Sequence, residues 1–151
     1  MVPEYELKID MEYKPYLEKV NEIDIPSLFK SSQALYNNIR KRTDLLNHQE
    51  EYSYVIGMLN CRMIGFFELS HGTSCESYTS IRSICTRLLL LGCNYCIVFH
   101  THPCDNRTPS ENDKVVFSCI KTGCTMMKIG VADQLIMTKR SFYSFEQDNL
   151  S

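Results

Sequence analysis

Two histidines and one aspartate are spaced so that their side chains can bind a single metal ion. His100 and His102 are separated by one residue, and Asp113 follows after a polar loop. Residues i and i+2 of an extended segment point to the same side, so the two imidazoles can share one ligand. Two imidazoles and a carboxylate leave the fourth position of a tetrahedral zinc site open for water. The spacing therefore predicts a divalent metal site with a catalytic rather than a purely structural role.

A strand and a helix are predicted on the two sides of this loop. Residues 95–99 form a short apolar run that is typical of a buried strand and ends at the histidine pair. Pro109 and Ser110 open a predicted helix, with Ser110 as its N-cap and Asp113 in its first turn. A carboxylate in that turn can point back toward the strand end. The two elements are therefore expected to bring the three ligands together.

Each half of this pattern also has an interpretation that needs no metal. Paired histidines beside a strand are often ordinary solvated side chains. Ser110 and Asp113 also match a capping box, in which the serine and the acid satisfy free backbone amides. The joint spacing H-x-H-x7-S-x2-D, with Pro103 and Pro109 between its halves, favours the metal site.

These residues resemble the JAMM motif of JAB/MPN metalloprotease domains, and the flanking sequence resembles the RadC branch of that superfamily. The resemblance covers roughly residues 50 to 150. The chain departs from the family pattern at Thr101, which replaces an asparagine, at Gln134, which replaces a histidine, and at Cys104 and Asp105, which replace small residues. The matching segments are Glu51, residues 65–72, residues 100–103, Pro109 and Ser110 with Asp113, residues 133–136 and residues 143–145.

The resemblance implies a zinc-dependent metallohydrolase that cleaves a peptide or isopeptide bond with a metal-activated water. His100, His102 and Asp113 would hold the Zn²⁺ ion, and Ser110 would donate a hydrogen bond to the oxyanion of the tetrahedral intermediate. The same ligand set also accepts iron, manganese or cobalt. A second hypothesis is a catalytically inactive metal-binding interaction domain associated with DNA repair or mobile elements, since the superfamily includes inactive members.

The family mechanism also uses an acid that takes a proton from the activated water, and Glu51 is our candidate for it. Glu51 opens a predicted strand, and period-2 alternation puts it on the same face as Ser53. Glu50 is the alternative, because a shift of one residue in register exchanges the two faces. Glu68 lies in the next strand, where the resemblance does not match it to the base.

The chain is predicted to be an α/β protein with a mixed β-sheet flanked by helices. The resemblance implies the three-layer, cytidine-deaminase-like architecture of MPN/JAB domains. Residues 1–50 are interpreted as an N-terminal strand and helix extension packed on the domain, and residues 51–151 as the RadC-like JAB/MPN domain. The predicted strands are 5–13 (an edge strand), 52–59, 63–69, 95–99, 130–137 and 142–145, and the predicted helices are 26–40, 79–91 and 110–127.

Length, composition and net charge argue against several classes of protein. The 151 residues, of which 44% are hydrophobic, suffice for one core. No apolar run approaches the roughly 18 residues of a membrane span, and the N-terminus lacks the pattern of a signal peptide, so we predict a cytoplasmic protein with no membrane partner. A net charge of −2 and a pI of about 6.1 argue against nucleic acid as a direct strong ligand. The expected partner is an unidentified protein or peptide substrate, and no feature predicts the oligomeric state.

The remaining reactive or charged groups receive structural interpretations. The eight cysteines are interpreted as reduced, buried thiols, and the Cys93-x-x-Cys96 pair as core packing. Cys104, in the loop beside the proposed metal site, is interpreted as filling space rather than sensing oxidation. The basic run at residues 40–42 is interpreted as complementing a helix dipole. The zinc deaminases are excluded, because the chain lacks the P-C-x-x-C half of their motif.

Overall fold

A mixed sheet of seven strands, in the order β2-β1-β4-β3-β5-β6-β7, forms the centre of the protein. The computed structural model describes residues 1–72 and 80–148. The strands are β1 (Val2–Ile9), β2 (Pro15–Ile23), β3 (Glu51–Leu59), β4 (Arg62–Gly72), β5 (Tyr95–Thr101), β6 (Gly130–Met137) and β7 (Phe142–Ser144). The helices are α1 (Ser32–Arg42), α2 (Ile81–Leu91), α3 (Glu111–Met126) and α4 (Phe145–Asp148).

Helices cover both faces of this sheet. On one face, Leu35 and Ile39 of α1 are buried in a cluster with Phe99 of β5. On the other face, Leu88 of α2 and Ile120 of α3 are buried in a second cluster with strand residues. Two apolar clusters on opposite faces account for the layered arrangement. The predicted α/β class, with a mixed sheet flanked by helices, is confirmed.

Strand β5 lies between two neighbouring strands, and the histidine pair lies at its C-terminal end. It pairs antiparallel with β3, where Ser53 lies opposite His100, and parallel with β6, where Ile136 lies opposite His100. The apolar run predicted as a buried strand is buried here, and Phe99 is fully inaccessible. Because β3 runs in the opposite direction, its first residues lie beside the last residues of β5.

Residues 1–50 form β1, β2 and α1, and both strands extend the central sheet. The prediction of an edge strand at 5–13 was wrong, because β1 lies between β2 and β4. The edge strand on this side of the sheet is β2, which was not predicted. Nearly all of its side chains are exposed, so it lacks the alternation that identifies a half-buried strand. Asp10 Oδ1 accepts hydrogen bonds from the amides of Glu12 and Lys14, which closes the turn between the two strands.

Helix α1 begins later than the predicted range of 26–40. Ser31 is its N-cap and accepts a hydrogen bond from the amide of Ala34 at 3.0 Å. The residues before it are extended instead, because the Phe29 amide donates to the carbonyl of Cys61 at 2.7 Å. These backbone hydrogen bonds to the β3–β4 turn replace the helical ones. The basic run lies in the last turn, as predicted.

The ends of the other helices follow local capping. Gly92, with φ of 79°, ends α2 in the left-handed conformation, as predicted. Ser80 caps the start of α2, while position 79 lies outside the described residues. The strand predicted for 142–145 ends at Ser144, because the Ser144 hydroxyl accepts a hydrogen bond from the amide of Gln147 and α4 begins at Phe145.

The carboxylate of Asp133 connects α1 to the C-terminal elements. It is buried and accepts hydrogen bonds from the hydroxyls of Ser32 at 2.5 Å and Ser144 at 2.6 Å. It also accepts from the backbone amides of Gln134 and Glu146. A buried carboxylate with several donors is well compensated. Helix α1 is therefore tied to β6, β7 and α4 by polar as well as apolar contacts.

The described cysteines are all free and fall into a buried and an exposed group. The prediction of buried thiols is correct for the first group and wrong for Cys61 and Cys119, which lie in a turn and on the outer face of α3. The buried cysteines are Cys85, Cys93, Cys96 and Cys124, and the exposed ones are Cys61, Cys104 and Cys119.

None of the described helices is both long and apolar enough to span a bilayer.

Candidate metal centre

His100, His102 and Asp113, which we call the ligand triad, converge at the end of β5, and their ligand atoms lie within 4.8 Å of one another. The two Nε2 atoms are 3.1 Å apart. His100 Nε2 lies 3.5 Å from Asp113 Oδ1, and His102 Nε2 lies 3.8 Å from Asp113 Oδ2. In a tetrahedral zinc site with bonds of about 2.0–2.1 Å, neighbouring ligand atoms are roughly 3.3 Å apart. The donor types and their spacing therefore fit one metal ion.

The imidazole of His102 is oriented by the loop that follows it. Its Nδ1 lies 2.8 Å from the backbone carbonyl oxygen of Asn106. A carbonyl only accepts, so Nδ1 carries the hydrogen, and the lone pair of a neutral ring is on Nε2. The Nε2 atom faces the other two members of the triad. Such a hydrogen bond on the far nitrogen is the usual partner of a metal-binding histidine.

His100 is held in the neutral form that a metal requires. Its side chain is only 14% exposed and packs against the ring of Phe117, with ring centroids 5.4 Å apart. Burial lowers the pKa of His100 to about 4, with Asp113 raising it and His102 lowering it further. At neutral pH the imidazole is therefore neutral, as a metal-binding histidine must be.

Asp113 combines helix capping with a position in the triad. Its Oδ2 accepts a hydrogen bond from the amide of Ser110 at 2.9 Å, and the Ser110 hydroxyl accepts one from the amide of Asp113 at 3.0 Å. This is the reciprocal capping box that the sequence indicated. The other oxygen, Oδ1, is the one nearest His100. Capping and metal binding are therefore compatible, and the cap holds the carboxylate in place.

Glu51 is the first residue of β3 and lies beside the triad. Its Oε1 is 4.0 Å from His102 Nε2. Burial raises the pKa of Glu51, with His102 lowering it and Asp113 raising it further. Glu51 lines a cleft together with His100 and Asp113, whereas Glu50 is not among its described lining residues. The side chain at position 51 therefore has the position that a proton acceptor for this site needs.

The cleft is largely apolar away from the triad. Its walls come from β4, β5 and α3, with Leu69, Val98, Val116, Phe117 and Ile120 among the lining side chains. Apolar walls exclude water and lower the local dielectric constant, which strengthens the interactions of the charged and polar groups at the end of the cleft.

Thr101 positions the start of β3, and the sequence analysis missed this role. Its side chain is 4% exposed, and its hydroxyl accepts a hydrogen bond from the amide of Tyr52 at 3.0 Å. Tyr52 directly follows Glu51, so this bond fixes the backbone next to the candidate base. The only signal in the sequence is the departure of Thr101 from the asparagine of the family pattern.

Three other residues singled out in the sequence lie in different surroundings. Glu68 lies 3.6 Å from the ring of His71, in a surface pair. Gln134 is buried, and its side-chain amide donates to the carbonyl of Phe117 at 2.9 Å, so it supports α3. Cys104 is exposed in the loop that follows the histidine pair, and its interpretation as filling space rather than sensing oxidation stays a prediction.

Comparisons with known families and proteins identify a matching family and several relatives of this chain. A family model described as the RadC-like JAB domain matches residues 29–150, so the match includes α1. A UPF0758 protein from Thermotoga maritima is 26% identical over 149 residues, which are 98% of this chain and 65% of the relative. UPF0758 proteins from Pasteurella multocida and Fusobacterium nucleatum are 29% and 28% identical over 91% of this chain and 60% of each relative.

The relatives give no functional information that could be assigned to this chain. Their names state no activity or ligand, and this chain spans less than two thirds of their length, 59% for a relative from Leptothrix cholodnii. The family match, in contrast, covers most of the chain and contains all three members of the ligand triad. The protein therefore belongs to the RadC-like JAB domain family.

Proposed function

We propose that this protein is a zinc-dependent metallohydrolase of the JAMM type, which cleaves a peptide or isopeptide bond. The observation that supports this proposal is the convergence of the ligand triad beside the Glu51 carboxylate, with Glu51, His100 and Asp113 lining one cleft. His100, His102 and Asp113 would hold the ion. Zinc supplies a Lewis acid that brings the pKa of a water molecule toward about 7 and polarises the scissile carbonyl.

Glu51 acts as the general base in this proposal. Its carboxylate lies beside the triad without being one of its members, so its role here is to accept a proton rather than to bind the ion. Burial raises the pKa of Glu51, which makes its carboxylate a stronger base than an exposed glutamate. The proton accepted at the carboxylate oxygen passes to the leaving amine, so Glu51 serves first as base and then as acid.

Ser110 supplies a hydrogen bond to the substrate. Its hydroxyl oxygen already accepts from the amide of Asp113, which leaves the hydroxyl hydrogen for donation. A donor next to the triad stabilises the negative charge that develops on the carbonyl oxygen of the substrate. The substrate is an unidentified protein or peptide. Substrate specificity depends on loop residues, which the fold does not determine.

We further propose that the protein acts in the cytoplasm. Seven described cysteines are all free, including the three exposed ones. Free thiols are usual where the cell keeps cysteines reduced, whereas exported proteins of this size more often pair them.

The test is hydrolysis of a panel of fluorogenic peptides and isopeptides by the zinc-loaded chain, with Glu51→Gln and Glu50→Gln compared. We expect Glu51→Gln to lower kcat by roughly 10²- to 10⁴-fold, because general base catalysis is lost. Glu50→Gln removes the same charge one residue earlier and should keep full activity. Both variants should retain zinc, since neither residue belongs to the triad.

Two results would contradict the proposal. Equal rates for Glu51→Gln and the unchanged chain would remove Glu51 as the base. A zinc-loaded protein that cleaves no amide in the panel would count against hydrolysis and favour the noncatalytic metal-binding interaction domain.

A further inference from the structure

Three arginine side chains from separate segments line one open pocket at the surface. Arg40 lies in the last turn of α1, Arg107 in the loop between β5 and α3, and Arg140 in the turn between β6 and β7. We call this the arginine pocket. Its polar lining side chains are Gln33, Asn37, Arg40, Arg107, Arg140 and Ser141.

Few carboxylates lie near the positive charges of the arginine pocket. Among the described residues that line it, none is acidic. Arg140 Nε lies 3.6 Å from Asp105 Oδ2, but these side chains are 82% and 63% exposed, so water screens their attraction. Within residues 1–72 and 80–148, no carboxylate lies within 4.0 Å of the guanidinium nitrogens of Arg40 or Arg107. A local excess of positive charge therefore exists in a chain whose net charge is −2.

A hydrogen bond orients the guanidinium group of Arg107, whose Nη1 donates to the carbonyl of Phe142 at 2.6 Å. The Tyr36 hydroxyl, which Arg40 approaches, donates to the carbonyl of Thr138 at 2.6 Å. The rings of Tyr36 and Phe142, which also line the pocket, lie 5.0 Å apart. The Arg107 bond uses one donor of a guanidinium that has five, so several N–H groups remain for a ligand.

We infer that the arginine pocket binds a phosphate group, either free or as a phosphomonoester of a small ligand. Three like charges repel one another, and a dianion that contacts all three relieves this repulsion better than a carboxylate does. The planar guanidinium fork also matches the oxygens of a phosphate. The inference does not depend on the proposed hydrolase function, because no member of the ligand triad lines this pocket.

The test is calorimetric titration of inorganic phosphate into the full chain at low ionic strength. We expect one phosphate per chain and binding of acetate that is at least about tenfold weaker. Arg40→Gln, Arg107→Gln and Arg140→Gln should each weaken phosphate binding by about tenfold, since each removes a charge-assisted hydrogen bond. Arg82→Gln, on the exposed face of α2, is the matched control and should leave the affinity unchanged.

A parallel titration with phenyl phosphate separates the two sources of the phosphate group. Tighter binding of phenyl phosphate would support a larger phosphomonoester, and equal binding would support free phosphate. Amide chemical shifts provide a measurement that does not depend on variants, with the largest changes expected at Gln33, Asn37 and Ser141. Absence of phosphate binding, shifts confined to other regions, or equal affinity in all three pocket variants would overturn the inference.

Discussion

The Nε2 atoms of His100 and His102 lie 3.1 Å apart. Because His102 Nδ1 donates to Asn106, its Nε2 is an acceptor, and a neutral His100 donates its Nε2 hydrogen across this distance. Metal binding must therefore move the hydrogen of His100 from Nε2 to Nδ1. The side chains themselves need little movement, because the atoms of the triad already have the spacing of metal ligands.

The first prediction concerns metal stoichiometry. The chain should bind one Zn²⁺, and His102→Ala should weaken binding by roughly 100-fold, because it removes one of the protein ligands. Elemental analysis and competition with a zinc chelator would measure this. His71→Ala is the control, since His71 is exposed beside Glu68 and should not affect the affinity. Equal zinc retention in the His102 and His71 variants would contradict the proposed site.

The second prediction separates two roles of Ser110. Ser110→Ala should lower the free energy of unfolding by about 1 kcal/mol, because the N-cap of α3 is lost. In the proposed hydrolase it should also lower kcat by roughly 100-fold, because the donor to the oxyanion is lost. Unfolding by denaturant and the fluorogenic assay would measure the two effects.

Ser31→Ala provides a matched control for this variant. Ser31 caps α1 with the same 3.0 Å hydrogen bond from a backbone amide, but α1 carries no member of the ligand triad. It should lose a similar amount of stability without losing activity. If the two variants have the same kcat, Ser110 has only a capping role.

The parts of the site that could be predicted depend on local patterns. The alternation of a strand places His100 and His102 on one side, and a capped helix start places Asp113 near its own N-terminus. These rules need only neighbouring residues. The choice between Glu50 and Glu51 is also a question of strand register; Glu51 lines the cleft with His100 and Asp113, and its role as the base stays a prediction.

The features that could not be predicted depend on distant or exposed residues. The hydrogen bond between Thr101 and Tyr52 joins positions 49 residues apart, and no spacing rule predicts it. Strand β2 is exposed along almost its whole length, so it has no apolar pattern to identify it. Strand β1 was therefore predicted to be an edge strand, although β2 pairs with it and forms the edge.

The third prediction concerns Thr101 as a positioning residue. Thr101→Val keeps the shape of the side chain but leaves the amide of Tyr52 without its acceptor, which should cost about 1–3 kcal/mol of stability. The adjacent Glu51 should then be less well placed, so kcat falls while zinc affinity is retained. Thr101→Ser keeps the hydroxyl and should restore kcat. A valine variant with unchanged kcat would show that the bond only stabilises the fold.

The fourth prediction is a dependence of stability on pH in the metal-free protein. Burial lowers the pKa of His100 to about 4 in the folded chain, whereas an unfolded histidine titrates near 6.5. Above pH 6.5 the ring is neutral in both the folded and the unfolded state, so proton uptake by His100 does not lower the free energy of unfolding there. Between about pH 6.5 and pH 4 only the unfolded chain takes up the proton, so the free energy of unfolding falls, by roughly 1–3 kcal/mol.

Urea unfolding at a series of pH values, compared between the unchanged chain and His100→Gln, isolates this contribution. The variant lacks the titrating ring, so its stability should fall less over this interval. His71→Gln removes a histidine from the exposed surface and should leave the fall unchanged. Parallel curves for the unchanged chain and His100→Gln would mean that His100 titrates alike in both states. The buried, neutral imidazole that the metal site requires would then be absent.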